Sequence, residues 1–567
     1  MRVDRRRTRS FSEIASEYLR ERTAPGRAFA AFRAELRTRV VPVHWTNLFG
    51  VITVASIAVL FVTGVILMFV YVPSSEPVIY KGDFAPLVGI EVSRAFDSVM
   101  RLSFDVPGGL MLRQLHHWAA LLVPASIMLQ LLVSFFTGAF RRPRRGSWLA
   151  LFLLLIAVLA GGWSGYALPD DALSGTGLRI VHGIVHSIPF VGTWIASFLF
   201  GGEFPSTIIE NLNLIHVAIV PVVVLLLIAL RARSAYKNKP PQFAAGGREE
   251  GNVVGMPMLP HAAVRSGGFF AIVVGVLVLM ASAVQISPLW TYGPADPGTV
   301  SAGSQPDWYT GFLDGALRLV PPGWEFVLFE RTFTLALLAP LVVIGVFLLT
   351  VAVYPFLEGW LSKDKSDHHI LDRPRNTATR TGIGVAGMTF YGVLWLAASA
   401  DVMAFVLQLS FESVIVTLQV TLFAGPVLAF ILTRRICLAL QKKDRDLVLH
   451  GYETGRIVRL PGGEFVEVHQ PLEAQERWRL AAHTHPDAIE ARPSEAGRLS
   501  VLERTRSALA AKFYADRIDK GAPESAHEEP EGAHQEPEGA HEEPDPAPNA
   551  TAAAVDTGTR PQPTMVR

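Results

Sequence analysis

Eight apolar runs, each long enough to cross roughly 30 Å of hydrocarbon as a helix rising about 1.5 Å per residue, constrain this chain more than any other feature. They fall near residues 46–72, 112–137, 148–168, 213–232, 266–286, 333–357, 383–398 and 414–433. A segment crossing hydrocarbon has to satisfy its own backbone polar groups, so the expected fold is an all-α integral membrane protein of eight transmembrane helices. Composition agrees: 50% of residues are hydrophobic and only 18% charged, too little charge for an ordinary soluble surface.

Charge is segregated along the chain. The first forty residues are Arg-rich, the middle is apolar and the last fifty or so are rich in Glu, Pro and Ala, and the net charge of +1 implies no nucleic-acid partner. Loops after the second, fourth and sixth runs carry RRPRR (141–145), RARSAYKNK (231–239) and SKDKSDHHILDRPR (362–375). By the positive-inside rule these loops and both termini are expected on the cytoplasmic side of the plasma membrane. The N-terminus MRVDRRRTRS precedes a polar stretch without an apolar cleavage-site pattern, so no removable signal peptide is expected and the first membrane helix should direct targeting. The opposite loops, 169–212 and 288–332, hold stretches such as FVGTWIASFLFGG (190–202) that suit short helices lying on the membrane surface.

These features divide the chain into a basic segment 1–45, a four-helix part 46–232, a second four-helix part 233–433, a cytoplasmic extension 434–475 with a strand-like RIVRLPGGEFVEVHQ, and a low-complexity, largely disordered tail 476–567. The tail contains SAHEEPEGAHQEPEGAHEEP (525–544), whose Glu/Pro background around His527, His534 and His541 cannot bury a core and is expected to be disordered. The single cysteine, Cys437, excludes internal disulfides, an iron–sulfur cluster held by the chain's own thiolates and a covalently attached c-type haem.

Histidines within membrane helices mark cofactors, proton paths or packed polar contacts. His116 lies in LRQLHHWAALL on the second run and His216 in NLNLIHVAIV on the fourth. The two runs point the same way, so the imidazoles share one depth near the outer face. Two readings fit that spacing: a haem held between facing helices by two neutral imidazoles, or interfacial histidines satisfied by loops. His117, turned about 100° from its neighbour, reads as a packing or supporting residue. His182 and His186 are one helical turn apart without an evident third metal ligand.

Collinear stretches between about 40 and 475 resemble the cytochrome b subunit of actinobacterial cytochrome bc1 complexes: HWTNLFG and VTGVIL (within 44–67), GIEVSRAF (89–96), LRQLHHWAALL (112–122), FFTGAFRRPRR (135–145), GYALPDDALSGTGLR (165–179), NVVG (252–255), SAGSQPDWY (301–309) and HGYETGRIVRLPGG (450–463). The resemblance implies a haem-binding four-helix bundle followed by four further helices, menaquinol oxidation at an outer site, and a Rieske iron–sulfur protein and a c-type cytochrome as partners. It places His116 and His216 as ligands of the outer, low-potential haem b, with Gly50, Gly64 and Gly165 as positions where the lack of a Cβ admits a porphyrin edge. Pro306, Asp307, Trp308 and Tyr309 match the quinol-site motif, with Asp307 as general base and the aromatics packing the ring. Asp307 could instead cap a short helix.

The resemblance also implies a second, inner haem held about fourteen or fifteen residues further along the same two helices, roughly 21 Å deeper. Here those positions are Gln130 and Arg231, neither a haem ligand, and Leu151 stands where a glycine would pass a haem edge. Gly251 replaces a histidine of the inner quinone region, and Asn211 replaces an arginine five residues before His216. The expectation is therefore a divergent cytochrome b carrying one haem. The rivals are a non-catalytic membrane scaffold with the same fold and a chain whose inner haem binds without protein imidazoles.

Overall fold

The computed structural model describes residues 24–202, 207–296, 298, 306–321, 323–480 and 500–514. Among them, seven helices are long and apolar enough to cross a membrane: α1 (Trp45–Leu67), α2 (Gly109–Phe136), α3 (Arg145–Ala167), α4 (Ile208–Lys237), α5 (Met258–Ala283), α6 (Leu335–Ser362) and α8 (Phe411–His450). The eighth span, α7, is broken: Ala378–Ala397 is followed by Ala400–Leu407 at a bend of 70°.

Neighbouring helices pack α1 on α2, α2 on α3 and α3 on α4, with α5 against α1 and α2, α6 against α3, and α7 along α8. Lipid tails are as apolar as leucine, so close packing and polar contacts, rather than exclusion of water, hold such helices together. Ile57 of α1, Ile127 and Leu131 of α2, Leu151 and Leu154 of α3 and Leu227 of α4 form one buried cluster. A buried ionic knot ties the Arg/Lys-rich end of the bundle. Arg380 of α7 donates from Nε to Glu358 of α6 at 2.9 Å and from Nη1 to Asp372 at 2.8 Å, and Asp372 also pairs with Arg141 at 3.0 Å.

Short helices Arg94–Phe104, Ala172–His186 and Gly192–Phe200 lie at the opposite end. Another, Gly311–Arg318, packs on α7 so closely that a Cβ on Gly315 would collide with the Leu394 carbonyl oxygen. Glycine at 315 thus permits the approach that seats the Pro306–Tyr309 segment beneath α7.

Two boundaries differ from the sequence expectation. Helix α8 continues from 433 to His450, because strong helix formers follow the apolar run and no Gly or Pro interrupts them until Gly451, at φ 81°, ends the helix. Residues 476–567 are not uniformly low-complexity tail. Ala474–Leu480 and Val501–Tyr514 are helical, and Ser500 begins the latter with a cap, accepting from the Glu503 N–H at 3.2 Å. Arg506 lies over the Trp360 ring at 5.9 Å, so Val501–Tyr514 docks on α6. The strand-like stretch forms an antiparallel hairpin, Tyr452–Arg459 with Phe465–Gln470. The His527, His534 and His541 repeat lies outside the described residues.

Candidate functional site

His116 and His216 face each other from α2 and α4, with ring centroids 6.1 Å apart. That separation leaves space between the two rings for one shared metal centre. The ring nitrogens are set for it. Thr63 Oγ1 gives its own proton to the Val59 carbonyl at 2.7 Å, so His116 Nδ1, 2.8 Å away, is the donor to Thr63. His216 Nδ1 likewise donates to the Gly161 carbonyl at 2.9 Å, and Ser164 Oγ lies 3.4 Å from it. With both Nδ1 atoms protonated, each Nε2 keeps its lone pair for a metal.

His216 sits in a five-residue π-helical turn, Ile215–Ile219, within α4. Such turns widen the backbone locally and recur at functional positions. The glycines act on the imidazoles themselves: a Cβ on Gly64 would lie 3.4 Å from His116 Cε1, and one on Gly165 would lie 2.5 Å from His216 Cε1. Asn211 donates to the carbonyl of Leu199 at 3.2 Å, fastening the helix Gly192–Phe200 to the start of α4.

Beside this pair lies a polar cluster drawn from distant parts of the chain. His117 Nε2 is 3.1 Å from Asp307 Oδ2, and the Tyr309 hydroxyl donates to the same oxygen at 2.9 Å. Burial, followed by the Asp307 carboxylate, pushes the Tyr309 phenol well above its ordinary range, so it remains a donor at physiological pH. The Asp307 carboxylate does not cap the following helix, whose N-cap is Thr310; only its main-chain carbonyl joins the turn. Trp308 is held at both ends, donating from Nε1 to Leu121 O at 3.3 Å and accepting at its carbonyl from Trp395 Nε1 at 3.0 Å. Gly162 makes room for Tyr309, since a Cβ there would lie 2.5 Å from its hydroxyl. Sequence reasoning took His117 as packing or support and missed Thr63, Gly162 and Trp395; only Thr63 carried a signal, standing beside Gly64 in VTGVIL.

The other end of α2 and α4 is built differently. Arg231 Nη1 donates to Gln130 Oε1 at 3.2 Å, Gln130 Nε2 donates to Thr53 at 2.7 Å, and Thr53 meets Ser126 at 2.6 Å. A Cβ on Gly50 would approach Gln130 to 3.8 Å, and Leu151 is buried in the core beside this chain of contacts. A cavity of about 350 Å³ opens here, lined in part by Gln130, Arg231, Leu151 and Arg144. Gly251, outside that lining, accepts from Lys239 Nζ at 2.8 Å. On the far side His182 and His186 approach Nε2 to Nε2 at 3.1 Å, and among the described residues no group of three or more metal-binding side chains forms.

The cytochrome bc1 complex cytochrome b subunit of Streptomyces coelicolor is 42% identical over 494 residues, covering 86% of this chain and 90% of that one. The chain belongs to the cytochrome b subunits of cytochrome bc1 complexes. The corresponding subunit of Mycobacterium leprae is 44% identical, covering 81% of this chain and 83% of its own length. The family model described as "Cytochrome b(N-terminal)/b6/petB" matches residues 121–294. A solved structure titled "Hyperthermophilic respiratory Complex III" shares the fold, with a TM-score of 0.53 at 18% identity over 73% of this chain and 98% of that one. As a cytochrome b, the chain is a multi-pass transmembrane subunit of electron transport, and membership in the family implies haem b. The His116–His216 geometry fits that group. Gln130, Arg231 and Leu151 do not: a carboxamide is a poor iron ligand, a guanidinium has no lone pair to offer, and the leucine side chain occupies core space.

Proposed function

We propose that this chain is the cytochrome b subunit of a bc1-type menaquinol:cytochrome c oxidoreductase that holds a single haem b between His116 and His216. The carrying observation is the contrast along α2 and α4: facing imidazoles with anchored Nδ1 atoms at one end, and an Arg231–Gln130 hydrogen bond at the other. Haem b would supply one-electron transfer at the first end.

At the outer site the Asp307 carboxylate would accept a quinol hydroxyl proton as the quinol is oxidised. His117, at 3.1 Å, offers the next station for that proton, and Tyr309, protonated throughout, orients the carboxylate by donating to it at 2.9 Å. Trp308, fixed by its contacts to Leu121 and Trp395, would pack the quinol ring. With Gln130 and Arg231 at the two positions where inner ligands would stand, the second electron leaves through a partner rather than crossing the bilayer within this chain, so a conventional Q-cycle is not completed by this subunit alone. A Rieske iron–sulfur protein and a c-type cytochrome are the partners this reading requires. The plasma membrane with cytoplasmic termini is the orientation that the basic loops support.

Pyridine haemochrome analysis of the purified protein tests the reading. One haem per chain, abolished by His116→Ala, is expected. No haem would favour a scaffold, and two would overturn the single-site assignment.

A further inference from the structure

The cavity beside Gln130 has a charge pattern that the electron-transfer reading does not use. Four of its lining side chains, Arg144, Arg231, Lys239 and Arg248, are cations, and no Asp or Glu contributes to the lining. Each cation is held by neutral acceptors. Arg231 donates to Gln130, Lys239 to the Gly251 carbonyl at 2.8 Å and Arg248 to the Phe243 carbonyl at 2.9 Å. Arg144 donates from Nε to Ala139 O at 2.8 Å and from Nη2 to the His368 carbonyl. Burial lowers the Arg144 guanidinium to about 10, still cationic at neutral pH.

Two acids outside the lining, Glu250 and Asp367, act on Arg144 through space while being bonded elsewhere. Glu250 accepts the main-chain N–H groups of His369 and Ile370, and Asp367 pairs with Arg142 at 3.7 Å. Gathering like charges around a sheltered space raises its potential, and an anion entering it is the simplest way to lower the repulsion. Neutral donors, Thr46 and Asn47 among them, line one part of the wall, and Val133, Trp148 and Leu151 give another part an apolar surface. At about 350 Å³ the space falls within the range of small-ligand sites.

We propose that this cavity binds a phosphate-class anion, with Arg231 at its membrane-buried end and Lys239, Arg144 and Arg248 completing the cationic wall. The phosphate belongs either to an anionic phospholipid headgroup, whose glyceride would lie against Val133, Trp148 and Leu151, or to a free phosphate compound entering from the basic side. The inference rests on the single-haem reading, because an inner haem would claim the same space.

Native mass spectrometry of the purified, delipidated complex in phosphatidylcholine nanodiscs tests it, with phosphatidylglycerol added in one arm and inorganic phosphate in the other. One adduct per chain is expected in at least one arm, and the arm identifies the source. Arg231→Leu should weaken that adduct at least tenfold. Lys239→Gln, at an exposed position, should weaken it measurably while the His116–His216 haem spectrum is retained. Absence of an adduct in both arms, or wild-type binding by folded Lys239→Gln and Arg248→Gln proteins, overturns the inference. Haem counted in the same preparation separates the two failures: one haem without an adduct rejects the anion site alone, and two haems per chain reject both readings.

Discussion

Arg231 and Gln130, 101 residues apart in the chain, are joined by a 3.2 Å hydrogen bond at the level where a second pair of imidazoles would have to stand. The bond explains how a cation is tolerated on the inward side of α4. Its guanidinium has a carboxamide acceptor, and that carboxamide is held in turn by Thr53. Losing the Gln130 acceptor would cost about 1–3 kcal/mol for the polar group left unmet.

Restoring imidazoles should therefore create a site. The triple substitution Gln130→His, Arg231→His, Leu151→Gly supplies two ligands and removes the side chain beside them. The haemochrome ratio is expected to rise from one to two per chain. A ratio unchanged in well-folded protein would mean that the cavity walls, and not the ligands alone, exclude an inner haem.

Thr63 fixes His116 by accepting its Nδ1 proton, so Thr63→Val should leave the ligand in place but unoriented. A weakening of haem affinity by about 10–100-fold is expected, with a shifted midpoint potential in redox titration. Unchanged affinity and potential would show that α2 packing alone orients the ring.

Gly165→Ala tests the close approach on the opposite ring. Its Cβ would lie 2.5 Å from His216 Cε1, so the imidazole must move. Loss of the b-type absorbance, with helical content by circular dichroism retained, is the expected outcome.

Asp307→Asn removes the proton acceptor while keeping the shape, and quinol oxidation by the assembled complex should fall by about 10²–10⁴-fold. Tyr309→Phe should have a smaller effect, because it removes an orienting donor and not the base. His117→Ala should slow turnover without removing the haem, which a haemochrome assay distinguishes from loss of the neighbouring ligand.

Glu358→Gln leaves Arg380 buried without its full counter-charge, although Asp372 remains at 2.8 Å. A destabilisation approaching the roughly 3–5 kcal/mol of a broken buried pair is expected, read as a lower thermal midpoint in detergent.

Local rules made much of this protein legible from its residues. Runs of apolar side chains specify helices wherever hydrocarbon replaces water, since each backbone group must then be paired within its own segment. The constant rise and turn of a helix put His116 and Gln130 about 21 Å apart near one face of α2, and an imidazole, unlike a carboxamide, is a good iron ligand. What depended on tertiary structure was the meeting of distant groups: His117 with Asp307 across 190 residues, Arg231 with Gln130, and the helix Val501–Tyr514 with Trp360. The 70° break in α7 and the bed for Gly311–Arg318 beside Leu394 belong to the same class. Period and hydropathy act along a single segment, whereas these contacts depend on how separate helices pack and rotate against one another, which no single segment encodes.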